Sequence, residues 1–182
     1  QEKHKPAGEK AALSPAVSSA APTHPSYTYT RLEHPYAKGM DFWQRAQNFD
    51  EAKKCFLAAV KQDDNKQKAL ANLLNVCLRQ EGAAKEGLAY LKEFPGVLEA
   101  TAETNIRIQL LDKLGEREEL VAALTNGIKE TFRANTKLHY IFKLAGSYRT
   151  HGDYAQALHW YEEWERVKKS SWAQLGINYR SE

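Results

Sequence analysis

Apolar residues recur at intervals of three and four residues from Pro35 onwards, which is the spacing of amphipathic helices. Short turns that contain Gly or Asn interrupt this pattern at regular places. The pattern predicts four pairs of helices and no strand. The predicted bounds are 36–46 and 50–61, 67–80 and 84–94, 98–114 and 117–131, and 136–150 and 154–168.

The turns inside the four pairs align with one another, which indicates an internal repeat. Their central positions are Gln47, Gly82, Gly115 and Gly152, at steps of 35, 33 and 37 residues. A period near 34 residues is typical of stacked helix–turn–helix units. We therefore expect consecutive pairs to bury their apolar faces against each other.

This repeat resembles the tetratricopeptide repeat (TPR). In the fourth pair the family's motif positions hold Leu144, Ala145, Tyr148, Gly152, Tyr154, Ala157 and Tyr161. In the first pair they hold Trp43, Phe49, Ala52, Phe56 and Ala59. The middle pairs depart from the motif, and Leu120 stands at the usual alanine position of the third. The resemblance implies an all-α fold: a right-handed α-solenoid of about four TPR-like pairs. The alternatives are an irregular helical bundle and a stack of the related half-TPR units of RNA-processing factors.

A further TPR-like pattern lies near the end of the chain, where Trp172, Leu175, Gly176 and Tyr179 share one helical face. We expect an additional C-terminal helix here, capped by Ser170 or Ser171. On this interpretation the repeat domain, residues 35–182, is truncated at its C-terminal end, and the uncovered helix face favours self-association. The alternative is a solvated cap helix.

Residues 1–34 differ in composition from the rest, being rich in Ala, Pro, Ser and Lys without helical periodicity. They are predicted to form a disordered or extended N-terminal arm or linker. The net charge is only +3, from 26 basic and 23 acidic residues, which does not by itself indicate a nucleic-acid-binding protein. The two cysteines, Cys55 and Cys77, are predicted to be buried free thiols, which favours a reducing compartment, cytoplasmic or nuclear.

No catalytic or metal-binding motif stands out in the sequence. The six histidines are scattered, without an HExxH or CxxC arrangement. We expect no enzymatic activity from this chain and no cofactor. No apolar run approaches the roughly 20 residues of a membrane span, so no membrane partner is expected.

The resemblance implies a concave groove lined by the first helix of each pair, and its ligand-facing positions can be taken from the repeat. They predict these partner-binding residues: Lys38, Asn72, Arg79, Asn105, Gln109, His139, Lys143 and Arg149. Amides can hold a peptide backbone of any sequence, and the cations favour an acidic partner. The predicted function is a protein–protein interaction module, a scaffold or adaptor segment that binds a peptide or partner helix. Alternatives are a subunit of an RNA-binding or RNA-processing assembly, and a non-catalytic region of an enzyme whose active domain lies outside this chain.

Overall fold

The computed structural model describes residues 34–63 and 65–174, and this part of the chain is all-helical, as the sequence predicts. Its eight helices keep the predicted order, and most bounds agree within two residues. They are α1 (Pro35–Gln44), α2 (Phe49–Lys61), α3 (Lys66–Arg79), α4 (Ala84–Glu93), α5 (Ala100–Leu114), α6 (Arg117–Glu130), α7 (Ala134–Thr150) and α8 (Tyr154–Gln174). The predicted N-terminal arm lies almost wholly outside the described residues.

Each helix packs against the next one in sequence, and α3 also packs against α5. The direct contact between α3 and α5 places the first helices of two successive pairs side by side. Two ion pairs join the second helices in the same way, from Lys53 to Glu86 at 2.7 Å and from Lys61 to Glu93 at 3.6 Å. The arrangement is therefore solenoid-like, with contacts that recur about one repeat apart.

The four aligned turn positions share one backbone conformation. Gln47, Gly82, Gly115 and Gly152 have φ angles of 50°, 77°, 70° and 79°, all in the left-handed region. This conformation ends a helix and reverses the chain, and glycine adopts it without steric cost. The predicted alignment of the turns is confirmed, including the non-glycine residue Gln47 in the first pair.

Small residues lie where helices cross closely, as the repeat alignment predicts. Ala52 and Ala157 are 0% and 3% exposed. In the second pair Gly87 takes the same position, and a Cβ atom there would lie 2.8 Å from Cδ2 of Leu110. Because such a distance is shorter than real Cβ contacts, a larger residue at Gly87 would force Leu110 to shift.

The core divides into two clusters of buried residues that meet at α5. The first extends from α2 to Leu110 and includes Phe56, which is fully buried. The second begins at Ile108 and Leu111 and continues into α7. Leu88 of α4 packs against both clusters. α5 therefore carries core residues of both halves, as expected of stacked pairs with nearest-neighbour contacts.

The C-terminal end differs from the prediction, because α8 continues without a break from Tyr154 to Gln174. Ser170 and Ser171 lie inside this helix and cap no new one; the Ser171 hydroxyl donates to the backbone oxygen of Val167 at 2.8 Å. The Lys168 ammonium lies over the rings of both Trp164 and Trp172, at 4.5 and 4.9 Å, and so links turns across the predicted boundary. The predicted residues Leu175, Gly176 and Tyr179 lie outside the described residues.

Both cysteines are free thiols, as predicted, but only Cys77 is fully buried, since Cys55 is half-buried. Burial raises the pKa of both thiols, and that of Cys77 reaches about 11. The reactive thiolate of Cys77 is therefore scarce in the folded protein at mildly alkaline pH.

We predict that Ala157→Leu destabilises the fold by about 1–3 kcal/mol, because the larger side chain has no space at this buried crossing. Urea denaturation followed by circular dichroism measures the change. Ala155→Leu on the same helix is the control, since residue 155 is exposed. Equal stability of the two variants would contradict the alignment of the fourth pair.

We also predict that iodoacetamide modifies Cys55 well before Cys77 in the folded protein, because Cys77 combines full burial with the larger rise in pKa. Peptide mass spectrometry after timed alkylation in mildly alkaline buffer measures both rates. In urea, where neither thiol is buried, the rates should become similar. Rapid native labelling of Cys77 would show that α3 is less tightly packed than the structure indicates.

Candidate binding surface

The predicted binding residues lie on the first helices of the pairs, α1, α3, α5 and α7. We call the face that carries them the first-helix surface. Helical spacing places Asn72 with Arg79, and Asn105 with Gln109, on common sides of their helices. The structure leaves most of the set exposed and three residues half-buried. The exposed ones are Lys38, Arg79, Gln109, His139 and Arg149, and the half-buried ones are Asn72, Asn105 and Lys143.

Two of these residues join α1 to α3. The Asn72 amide donates to the hydroxyl of Tyr36 at 3.1 Å and lies 3.2 Å from the sulfur of Met40. The guanidinium of Arg79 lies 5.4 Å from the ring centre of Trp43. Asn72, which the sequence predicts to be a ligand-binding amide, thus also links two helices through its amide nitrogen. Arg79 remains exposed while its guanidinium lies over the indole of Trp43.

Lys143 joins α7 to α5. Its ammonium lies 3.4 Å from a carboxylate oxygen of Asp112, 31 residues earlier in the chain. Both side chains are partly exposed, at 31% and 59%, so this ion pair contributes modestly to stability. It does reduce the positive charge that Lys143 offers to a partner.

The amides of α5 remain available. Neither Asn105 nor Gln109 makes a side-chain hydrogen bond to another residue of the described part of the chain, in contrast to Asn72. Asn105 and Asn72 occupy the same place in successive repeats, yet the structure gives them different environments. Asn105 and Gln109 are therefore the amides that can bind a peptide backbone.

A pocket of about 350 Å³ opens between the end of α5, the start of α6 and the face of α7. Its apolar lining comes from Leu120, Leu124 and Phe142. Phe142 is 54% exposed, although its ring also contacts those of Tyr161 and Trp164 on α8. Asp112 and Lys143 lie at the pocket too, which connects it to the first-helix surface.

The polar groups of the pocket lie mainly on the last turns of α7. The Thr150 hydroxyl donates to the backbone oxygen of Gly146 at 2.9 Å. A ring nitrogen of His151 lies 2.8 Å from the backbone oxygen of Ser147. By contrast, the buried hydroxyl oxygen of Ser147 has no hydrogen-bond partner within the described residues. Arg117 closes one side of the pocket, 5.8 Å from the ring of Tyr148.

The sequence did not single out this pocket, because its lining comes from three helices and its shape depends on their packing. Two signals pointed towards it. Leu120 replaces the usual alanine of the repeat, and Gly146 is a glycine inside a helix. Each is an unusual residue for its position, but neither alone predicts a cavity.

The carboxyl groups with shifted pKa values belong to ion pairs away from this pocket. A hydrogen bond from Gln80, and then the nearby Lys53 ammonium, lower the pKa of Asp50. A hydrogen bond from Arg166 lowers the pKa of Glu163. Within residues 34–63 and 65–174, no group of three or more His, Cys, Asp or Glu side chains is placed to bind a metal ion. Among the described helices, none has the length and apolar character required to cross a bilayer.

No family model, no curated protein and no solved structure matches this chain. The resemblance to tetratricopeptide repeats therefore rests on the motif residues and turn spacing of the sequence.

Proposed function

We propose that the chain is a non-catalytic protein–protein interaction module, which binds an extended peptide or a partner helix along the first-helix surface. The observation that carries this proposal is the pair of α5 amides, Asn105 and Gln109, which make no side-chain hydrogen bond within the described residues and lie among exposed polar side chains of the first helices. We also propose that the helix pairs are TPR-like, and that the module works as a scaffold or adaptor segment in the cytoplasm or nucleus.

The composition of the surface supports a peptide partner. Exposed aromatic side chains and amides are typical of interfaces, because the former supply contact area and the latter adaptable hydrogen bonds. Phe142 and His139 are exposed on α7, and Gln109 is exposed on α5. A peptide that follows α5 from Asn105 to Asp112 would reach the pocket at its end.

The charges of the surface support a partner that is mildly acidic. Lys38 and Arg149 are exposed cations, whereas Lys143 is partly neutralised by Asp112. RNA binding would depend on these same few cations and would fall steeply with salt. The following experiment therefore distinguishes RNA binding from peptide binding.

We predict that peptides selected from a random displayed library on the purified chain require the amides of α5. For the double variant Asn105→Ala with Gln109→Ala, calorimetric affinity for the synthetic peptides should fall about fivefold or more, since two hydrogen bonds are lost. The matched control is Asn126→Ala with Gln156→Ala, which removes two exposed amides from the second helices α6 and α8. This control should bind as the unchanged chain does.

Equal loss in the two double variants, or no loss in either, would contradict binding on the first-helix surface. An RNA oligonucleotide whose affinity exceeds that of every selected peptide, and falls steeply between low and physiological salt, would instead favour the RNA-binding alternative.

A further inference from the structure

The glycines inside the helices fall into two groups. A Cβ atom at Gly39, Gly87 or Gly127 would lie 2.7–2.8 Å from a neighbouring side chain, so a larger residue there would force that side chain to shift. A Cβ atom at Gly146 would meet nothing within 4 Å. Glycine inside a helix is less favourable than alanine, so Gly146 carries a cost that the packing of the fold does not explain.

Gly146 faces the pocket. Its missing side chain leaves open the space between Phe142 and the apolar side chains of Leu120 and Leu124. The volume, about 350 Å³, lies at the lower end of the range of ligand sites and suits one bulky side chain. A leucine at residue 146 would project into this space.

The polar groups around the pocket indicate which kind of ligand residue should lie next to the bound bulky side chain. Arg117 makes no ion pair within the described part of the chain, whereas the other lysine or arginine of the lining, Lys143, is held by Asp112. The Arg117 guanidinium, which lies over the ring of Tyr148 near Glu116, Glu118 and Glu119, is the cation of the lining left to pair with a carboxylate beside the bound apolar group.

We propose that this pocket binds one bulky apolar side chain of a partner peptide, with an adjacent acidic residue paired to Arg117. The inference rests on the proposed function and narrows it to a ligand class. A peptide fits better than a free small molecule because Asp112, which lines the pocket, lies one helical turn after Gln109 on α5. The rest of the ligand can thus follow the first-helix surface.

Short capped peptides test the proposal directly by NMR titration of the full chain. The probes are acetyl-Ala-Phe-Asp-Ala-amide, the same peptide with Ala in place of Phe, and the same peptide with Lys in place of Asp. We expect the Phe–Asp peptide to shift the amide signals of Gly146, Ser147 and Leu124. The Phe–Lys peptide should bind several-fold more weakly, and the peptide without Phe should cause no shift at these residues.

Two variants of one residue provide the control. Gly146→Leu fills the pocket and should abolish the shifts at Ser147 and Leu124, whereas Gly146→Ala leaves most of the space and should retain binding. Both variants should melt at or above the temperature of the unchanged chain, which separates blocked binding from misfolding.

Equal binding by both variants, or no binding of the Phe–Asp peptide to the unchanged chain, would overturn the pocket proposal. Equal binding of the Phe–Lys peptide would overturn the role of Arg117. If 3-phenylpropionate binds as tightly as the peptide, the pocket is a site for small aromatic acids, and the proposal that it binds a peptide is overturned. None of these outcomes alters the library experiment with Asn105 and Gln109, so the proposed function can stand when this inference fails.

Discussion

The structure depends on close crossings between helices, each of which sets a small residue against a large one. At Gly127 an added Cβ atom would lie 2.8 Å from the ring of Tyr140, which is only 1% exposed. At Gly39 it would lie 2.7 Å from Phe56, which is fully buried. Because these rings fill the space that the glycines leave, consecutive helices approach closely enough to bury a continuous core. The small residues thus set the distance between helices, on which the positions of all surface groups depend.

The surface follows from that packing. Contacts such as Tyr36 with Asn72 and Asp112 with Lys143 recur about one repeat apart, so the first helices lie side by side. These polar contacts are partly exposed and contribute little energy compared with the buried core. The stack is not uniform, however. The large residue Leu120 and the missing side chain at Gly146 together form a pocket in the second half of the chain.

Sequence reasoning predicted the local features well and the features that need several helices poorly. Periodicity and turn spacing predicted the order of the eight helices, the positions of the four aligned turns and the buried Ala157, because each depends on a short stretch of chain. The continuation of α8 through Ser170 was missed, and Lys168 contacts tryptophans on both sides of the predicted boundary. The bond of Asn72 to Tyr36 and the pocket at Gly146 depend on how separate helices meet, which repeat spacing alone does not specify.

The central claim is that Gly127 is required for packing while Gly146 lies beside an open site, although both glycines are inside helices. The most direct measurement is the free energy of unfolding of Gly127→Ala and Gly146→Ala, from urea denaturation of the full chain. We predict that Gly146→Ala is more stable than the unchanged chain by about 0.5–1 kcal/mol, from helix propensity. Gly127→Ala should be less stable than the unchanged chain by about 1–2 kcal/mol net, because the cost of overpacking against Tyr140 exceeds the gain in helix propensity. A loss of stability in both variants, or a gain in both, would contradict the account.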